Sequence, residues 1–292
     1  MKKLFILIIF FSTIYFASAQ TKQSFHNQII FAKYLLKNNM AEDCITLLQN
    51  EINSSNYSIE QKDSIYNFLG HAYYNNNIYD SAAICFSSVS PSIQSFNESI
   101  FLSAYSFTLL KNYYRGIEQL KKIDTINLKS KECRNLQLLG IYLLSRDTSN
   151  FSRVSKSFTY SYNDINEQEK KIIQLNNDLK KIRPKSGFLA GIMSAVVPGL
   201  GKLYAGKTGQ GVSSFIPVTL MGLCTFEAYK KAGVSNPRFI LTAGLFSIFY
   251  IGNIWGSILS VSVSRNEKND EINNQILFNL RIPLQKFISI YQ

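Results

Sequence analysis

The chain has 292 residues, with 31 Lys and Arg against 19 Asp and Glu for a formal charge of +12. With 46% hydrophobic and only 17% charged residues, it is not a solvated, disordered polymer. Two His and four Cys are too few to suggest a zinc cluster or a disulfide framework.

The charge is unevenly placed. Residues 20–169 hold fourteen basic and fourteen acidic side chains, whereas residues 170–241 hold eleven basic and two acidic ones. A nucleic-acid surface would set basic residues on a soluble face among aromatic and polar readers. Here they flank apolar runs, so the expected partner is membrane lipid and no nucleic acid is expected.

The N-terminus reads as an address. Lys2 and Lys3 precede an apolar run of fourteen residues, Leu4–Ala17, and Ala17-Ser18-Ala19 is a small-x-small cleavage site. Residues 1–19 are therefore expected to be a signal peptide, cleaved after Ala19. Its pattern resembles the export signals of Gram-negative bacteria, which implies a periplasmic location for the residues that follow. Cys44, Cys85 and Cys133 then face an oxidising compartment; no C-x-x-C occurs, and small buried helix residues are the simpler reading.

Residues 20–160 carry an internal repeat. Tyr66-x-x-Leu69-Gly70-x-x-Tyr73 is followed by Ala82-x-x-x-Phe86. Thirty-four residues on, Ala104 stands for Gly70, Phe107 for Tyr73, Gly116 for Ala82 and Leu120 for Phe86. An earlier copy runs through Ala32, Leu35, Cys44 and Leu48. A later one starts at Leu136-x-x-Leu139-Gly140-x-x-Leu143, and its second helix places Lys156 in the large apolar slot. Small residues let two helices cross closely and large apolar ones fill the remaining space. The polar turns Lys37-Asn38-Asn39 and Asn75-Asn76-Asn77 tolerate left-handed backbone. These residues resemble the tetratricopeptide repeat family over about residues 24–160, without its Trp and Pro landmarks. The resemblance implies stacked helical hairpins with a concave peptide groove. Tyr73, Tyr74, Tyr79, Tyr113 and Tyr114 either line that groove or fill the core, Tyr74 being the better groove candidate. His71 is expected on the groove or surface.

Residues 161–185 read as a linker helix ended by Pro184. Three apolar stretches follow: Gly187–Val197, Gly211–Tyr229 and Phe239–Val263, of eleven, nineteen and twenty-five residues. The last two, with spans at about 211–229 and 239–263, are long enough to cross a bilayer; the first is a half-helix. Between them lies Pro198-Gly199-Leu200-Gly201-Lys202-Leu203-Tyr204-Ala205-Gly206-Lys207. Pro198 stops a helix, Gly199 and Gly201 permit tight turns, and Lys202 and Tyr204 suit headgroup depth. The run from Gly201 to Thr208 spells a phosphate-loop motif, but the apolar setting contradicts the strand–loop–helix unit that motif needs. This hinge resembles small bacterial membrane domains with a P-G-x-G-x-x-Y-x-G signature before two close spans, the TM-two type. It is also similar to modules of Bacteroidetes-type envelope proteins, some near membrane-insertion factors. The resemblance covers residues 186–265 and implies a helical hairpin without an assigned activity.

In the last span Gly252-x-x-x-Gly256 permits close helix contact, and Asn253 must face protein or water. The tail, residues 266–292, carries Ile272, Ile276, Leu277 and Leu280 on one side, suggesting an amphipathic surface segment broken near Pro283. Two spans return the C-terminus to the side of the repeats. Lys230, Lys231 and Arg238 in the connecting loop obey the positive-inside rule, whereas Lys180, Lys181, Arg183 and Lys185 do not.

The expected architecture is all-α: a tetratricopeptide-like hairpin solenoid, then a two-span transmembrane hairpin preceded by a half-helix. No catalytic, metal or cofactor constellation is legible, so an enzyme is not expected. The expected function is a membrane-anchored scaffold whose periplasmic repeats bind an envelope protein or peptide. The alternative is a subunit of an insertion, export or transport machinery working through the membrane module.

Overall fold

One kind of turn, built four times, organises the first half of the chain. The computed structural model describes residues 25–52 and 57–288, so the expected signal peptide lies outside the described residues. Among these no strand occurs. Helix α1 covers residues 25–37. It is followed by α2 (Ala41–Ile52), α3 (Ile59–Asn75), α4 (Tyr79–Ser87), α5 (Phe96–Leu109), α6 (Tyr113–Leu120), α7 (Leu128–Leu144), α8 (Thr148–Ser155) and α9 (Asn163–Lys181). Then come α10 (Gly187–Val196), α11 (Leu200–Ala205), α12 (Thr208–Ala232), α13 (Pro237–Arg281), a 3-10 turn at Ile282–Leu284 and α14 (Gln285–Ile288). The chain divides into two compact units, one of the described residues up to Gln174 together with Ile276 onward, the other Leu175–Gln275.

In the first unit the turns after α1, α3, α5 and α7 place Asn39, Asn77, Lys111 and Arg146 at positive φ, between 58° and 62°. In each, the next residue donates its N–H back to a carbonyl five positions earlier: Met40 to Leu35 at 2.9 Å, Ile78 to Tyr73 at 2.9 Å, Asn112 to Phe107 at 2.9 Å, Asp147 to Tyr142 at 2.8 Å. This is a Schellman-type stop, which satisfies the last carbonyls of the first helix and turns the chain back. Two of the four are Asn, which accepts the left-handed region readily; Lys111 and Arg146 accept it at some cost. Successive helices from α2 to α8 pack on one another.

Small residues set that packing. A Cβ on Gly70 would lie 2.6 Å from two carbons of the Phe86 ring, and Phe86 is wholly buried. Ala82 and Ala104 are wholly buried and Leu69 nearly so. A Cβ on Gly116 would meet the Ala104 carbonyl oxygen at 3.2 Å and Ile141 Cδ1 at 3.3 Å. Tyr73 is half-buried against the core of Ala32, Leu35, Cys44, Leu48 and Leu69, and its hydroxyl accepts from Gln49. Gly70→Leu should therefore destabilise this unit by about 1–3 kcal/mol or more through overpacking. An unchanged melting temperature would contradict the α3–α4 crossing.

His71 differs from its expected exposed place. It is 4% exposed, with its ring edge-on to Phe86 at 5.1 Å, because the face of α3 that meets α4 extends one residue beyond Gly70. Burial pushes its pKa down to about 3, so the imidazole is neutral at ordinary pH. Cys44, Cys85 and Cys133 are buried, and no disulfide joins them.

Polar groups stitch the hairpins together: Asn67 donates to Ser99 at 2.8 Å, Ser103 to the Ala83 carbonyl at 2.8 Å, and Thr159 to Glu132 at 2.7 Å. Glu169 on α9 is buried beside Glu132. Burial first, then the hydrogen bond and charge of Glu132, raise its pKa from the ordinary 4.5 to about 8. A carboxyl whose folded pKa is raised stabilises the fold at low pH and loses that contribution as pH climbs through the folded value. Thermal stability should thus fall between about pH 4.5 and pH 8, and Glu169→Gln should flatten the slope. Identical slopes for the two proteins would contradict a shared proton.

In the second unit α10 ends where Val197 turns extended and Gly199 takes φ 83°. The six-residue α11 is closed by Gly206 at φ 90°, and α12 begins at Thr208. By length and composition, α12 and α13 are the two described helices capable of crossing a membrane. Their apolar side chains are mostly exposed, among them Phe215, Leu223, Phe226, Leu241, Ile248 and Trp255. A Cβ on Gly222 would lie 3.2 Å from the Phe246 ring, so α12 and α13 touch there.

Helix α13 does not stop where its hydropathy drops. It continues to Arg281, although the sequence reading set off residues 266–292 as a separate tail. No Gly or Pro occurs between Gly256 and Pro283, so the polar run Arg265–Asp270 changes what the helix faces without ending it.

Candidate functional site

Two constellations stand out, one in each unit. In the second unit, a buried polar cluster fastens the break between α10 and α11 to α13. Asn253, 4% exposed, uses both ends of its amide: Oδ1 accepts from the Gly199 N–H at 2.9 Å, and Nδ2 donates to the Ser194 carbonyl at 3.1 Å. One turn on, Ser257 donates to the Asn253 carbonyl at 2.8 Å and its hydroxyl lies 2.6 Å from that of Ser194. Ser194 Oγ also accepts from the Gly201 N–H at 2.9 Å. Tyr250 donates to the Ala195 carbonyl at 2.6 Å. The Ser194 and Ala195 carbonyls and the Gly199 N–H are thus satisfied by Asn253 and Tyr250 of α13, and the Gly201 N–H by Ser194 of α10.

The glycines make this approach possible. A Cβ on Gly201 would run into the Ala190 carbonyl, whose carbon would lie 2.7 Å away, and into Ser194 Oγ at 2.8 Å. One on Gly199 would sit 3.0 Å from the Gly211 carbonyl carbon. Tyr204 packs against the small core of Ala190, Ala205 and Val261. Its carbonyl accepts from Lys185 at 2.5 Å, and the Lys185 ammonium sits 5.2 Å from its ring centroid. Lys202 donates to Ser214 at 2.5 Å, and Lys207 pairs with Glu267. Gly201–Gly206 form α11 and its cap, which is no phosphate cradle behind a strand.

Of the proposed span contacts, Asn253 faces the break instead of α12. Gly256 lies against the Lys202 side chain, with the Lys202 Cε 3.3 Å from where a Cβ would be. Nothing lies within 4 Å of a Cβ on Gly252. Contact between α12 and α13 runs instead through Gly222 and Phe246 and through Tyr229 and Phe239, while the polar side of α13 is turned to the α10–α11 break.

In the first unit, the end of α13 lies on α5 and α7. Leu280 is wholly buried, and its Cγ lies 2.7 Å from where a Gly140 Cβ would be. Gln137 on α7 donates to the Leu280 carbonyl at 2.7 Å, and Tyr105 on α5 donates to the Leu277 carbonyl at 3.1 Å. Those carbonyls belong to the last turns of α13, just before Pro283, which has no N–H to continue the ladder. Ile276 and Leu284 are also wholly buried. Tyr74 stacks obliquely with Tyr105 at 6.5 Å, and the Arg281 charge reaches both phenols. Burial raises the Tyr74 pKa to about 12.

The sequence reading named Gly199, Gly201 and Asn253 without joining them, and missed Ser194, Ser257 and Tyr250. The signal was the polar stripe Asn253, Ser257, Ser260 at helical spacing inside an apolar run. It also treated the tail as a surface segment, although Ile276, Leu280 and Leu284 recur every four residues and Gly140 offers a slot. The chain matches no family model, no curated protein and no solved structure.

Proposed function

We propose that the chain is a non-enzymatic, membrane-anchored scaffold. In this reading α12 and α13 cross the inner membrane as a hairpin, with α10 as a half-helix at the interface. The tetratricopeptide-like hairpins stand in the periplasm and receive a helical or extended segment of an envelope protein. The observation that carries the reading is the seating of residues 276–284 on α5 and α7. Tyr105 and Gln137 read backbone carbonyls there, and Gly140 supplies a slot for one large apolar side chain. Such a face accepts a helix end through its backbone and one anchor, which is how repeat surfaces bind segments of varied sequence. The same seating requires an even number of crossings between residues 174 and 276, which favours two spans over three.

The polar fastening of the α10–α11 break supports the second reading, a subunit of an insertion, export or transport machinery. Buried polar groups among apolar helices mark sites where such devices act. The two separate by photo-crosslinking of the full-length chain in native membranes. A crosslinker at Phe31 or Tyr34, both about half exposed on α1, should capture a protein if the repeats are a scaffold. Protein adducts arising only from positions 202–214 would favour the machinery. Lipid adducts alone from every position would contradict both.

A further inference from the structure

A cavity of about 360 Å³ lies in the second unit, lined by the end of α9 and the segment after it, by Ala205, and by α13. Its charged lining is Lys181, Arg183, Lys185, Arg265 and Lys268 against a single acid, Asp178. Asp178 is taken by Lys181 at 3.0 Å, and Lys185 is held by the Tyr204 carbonyl and ring. Arg183, Arg265 and Lys268 pair with no carboxylate among the described residues, although Glu267 adjoins Lys268 in sequence and turns to Lys207. The floor is apolar, formed by Ile182, Ala205 and Val261.

The position of this cavity is as informative as its charge. Val261 lies near the end of the apolar run of α13, and Arg265 and Lys268 follow within two turns. Lys185 immediately precedes α10, whose Phe188 is 76% exposed. The cations therefore collect where two apolar helix surfaces begin. Like charges brought together without counter-carboxylates repel one another unless an anion sits among them. Guanidinium groups suit a tetrahedral, multiply charged anion through paired N–H donors, with lysines adding point charges. We infer that this cavity is a phosphate site, and that its occupant is the headgroup phosphate of an anionic membrane lipid whose chains run along α10 and α13. The inference rests on the reading of α12 and α13 as spans. It also gives a role to the four basic residues at 180–185 that break the positive-inside pattern: three of them line the site.

The test uses the full-length chain in detergent with added phosphatidylglycerol, phosphatidylcholine or inorganic pyrophosphate, read by thermal shift and by native mass spectrometry. Phosphatidylglycerol should stabilise the chain and remain bound, and phosphatidylcholine should not. The variant Arg183→Gln/Arg265→Gln/Lys268→Gln should lose about tenfold or more in phosphatidylglycerol affinity, since each basic residue adds to anion attraction. Lys230→Gln/Lys231→Gln, at the other end of α12, should retain it. Stabilisation by pyrophosphate alone, lost in the triple variant, would keep the phosphate site and assign it to a soluble anion. Equal lipid binding by wild type and triple variant, or no preference for phosphatidylglycerol, would overturn the inference. Carbonate extraction separates the two claims. A triple variant still embedded in the membrane but without lipid preference sinks only the cavity, and a wild-type chain released by carbonate sinks the spans.

Discussion

Gly201→Ala is expected to be among the most damaging single-methyl additions in this chain. The new Cβ would be forced into the Ala190 carbonyl, with Ser194 Oγ 2.8 Å away. Both neighbours are fixed, the first by the backbone of α10, the second by bonds to the Gly201 N–H and the Ser257 hydroxyl. Relief requires α10 and α11 to part, which strands buried polar groups as well as opening the contact. The cost should reach or exceed the upper range for overpacking, about 3 kcal/mol. Gly209→Ala is the internal control. Nothing lies within 4 Å of its Cβ, and Ala is a better helix former than Gly by up to about 1 kcal/mol. Melting of the full chain in detergent should therefore drop sharply for Gly201→Ala and stay level or rise for Gly209→Ala. Equal melting temperatures would mean that the break is only a tolerated turn.

Leu280→Ala should release the end of α13 from α5 and α7. A wholly buried Leu truncated to Ala typically costs about 2–5 kcal/mol. Here the loss is capped by the free energy of seating the segment, because residues 276–288 can detach while the helices behind them remain folded. The expected signature is local: faster amide exchange and protease cleavage at residues 277–288, with Gln137 and Tyr105 losing their acceptors and the α3–α4 contact unchanged. Protection of that segment equal to wild type would contradict the seating on Gly140.

The helical class and the turns after α1 and α3 were legible because they depend on near-neighbour residues. Asn39 and Asn77 announced left-handed turns by their chemistry, and the recurrence of small residues at Gly70, Ala104 and Gly116 marked where helices cross. The two long apolar runs were legible from length alone. What escaped depended on partners distant in sequence. Asn253 had to face protein or water, but its partners, the Gly199 N–H as donor and the Ser194 carbonyl as acceptor, lie more than fifty residues earlier. The tail showed its apolar stripe, but nothing local told a lipid surface from the slot at Gly140. The basic residues at 181–185 read as a membrane flank, and nothing local joined them to Arg265 and Lys268, which line the same cavity.

The central claim is that two crossings bring the chain back to the side from which it left. It is tested most directly by single cysteines in a chain whose native cysteines are replaced by Ser. The positions are Ile126, Val234 and Phe278, which are 87%, 60% and 65% exposed. With a membrane-impermeant thiol reagent applied to each face in turn, Ile126 and Phe278 should label together from one face and Val234 from the other. Labelling of Ile126 and Phe278 from opposite faces, or of all three from the same face, would contradict the account.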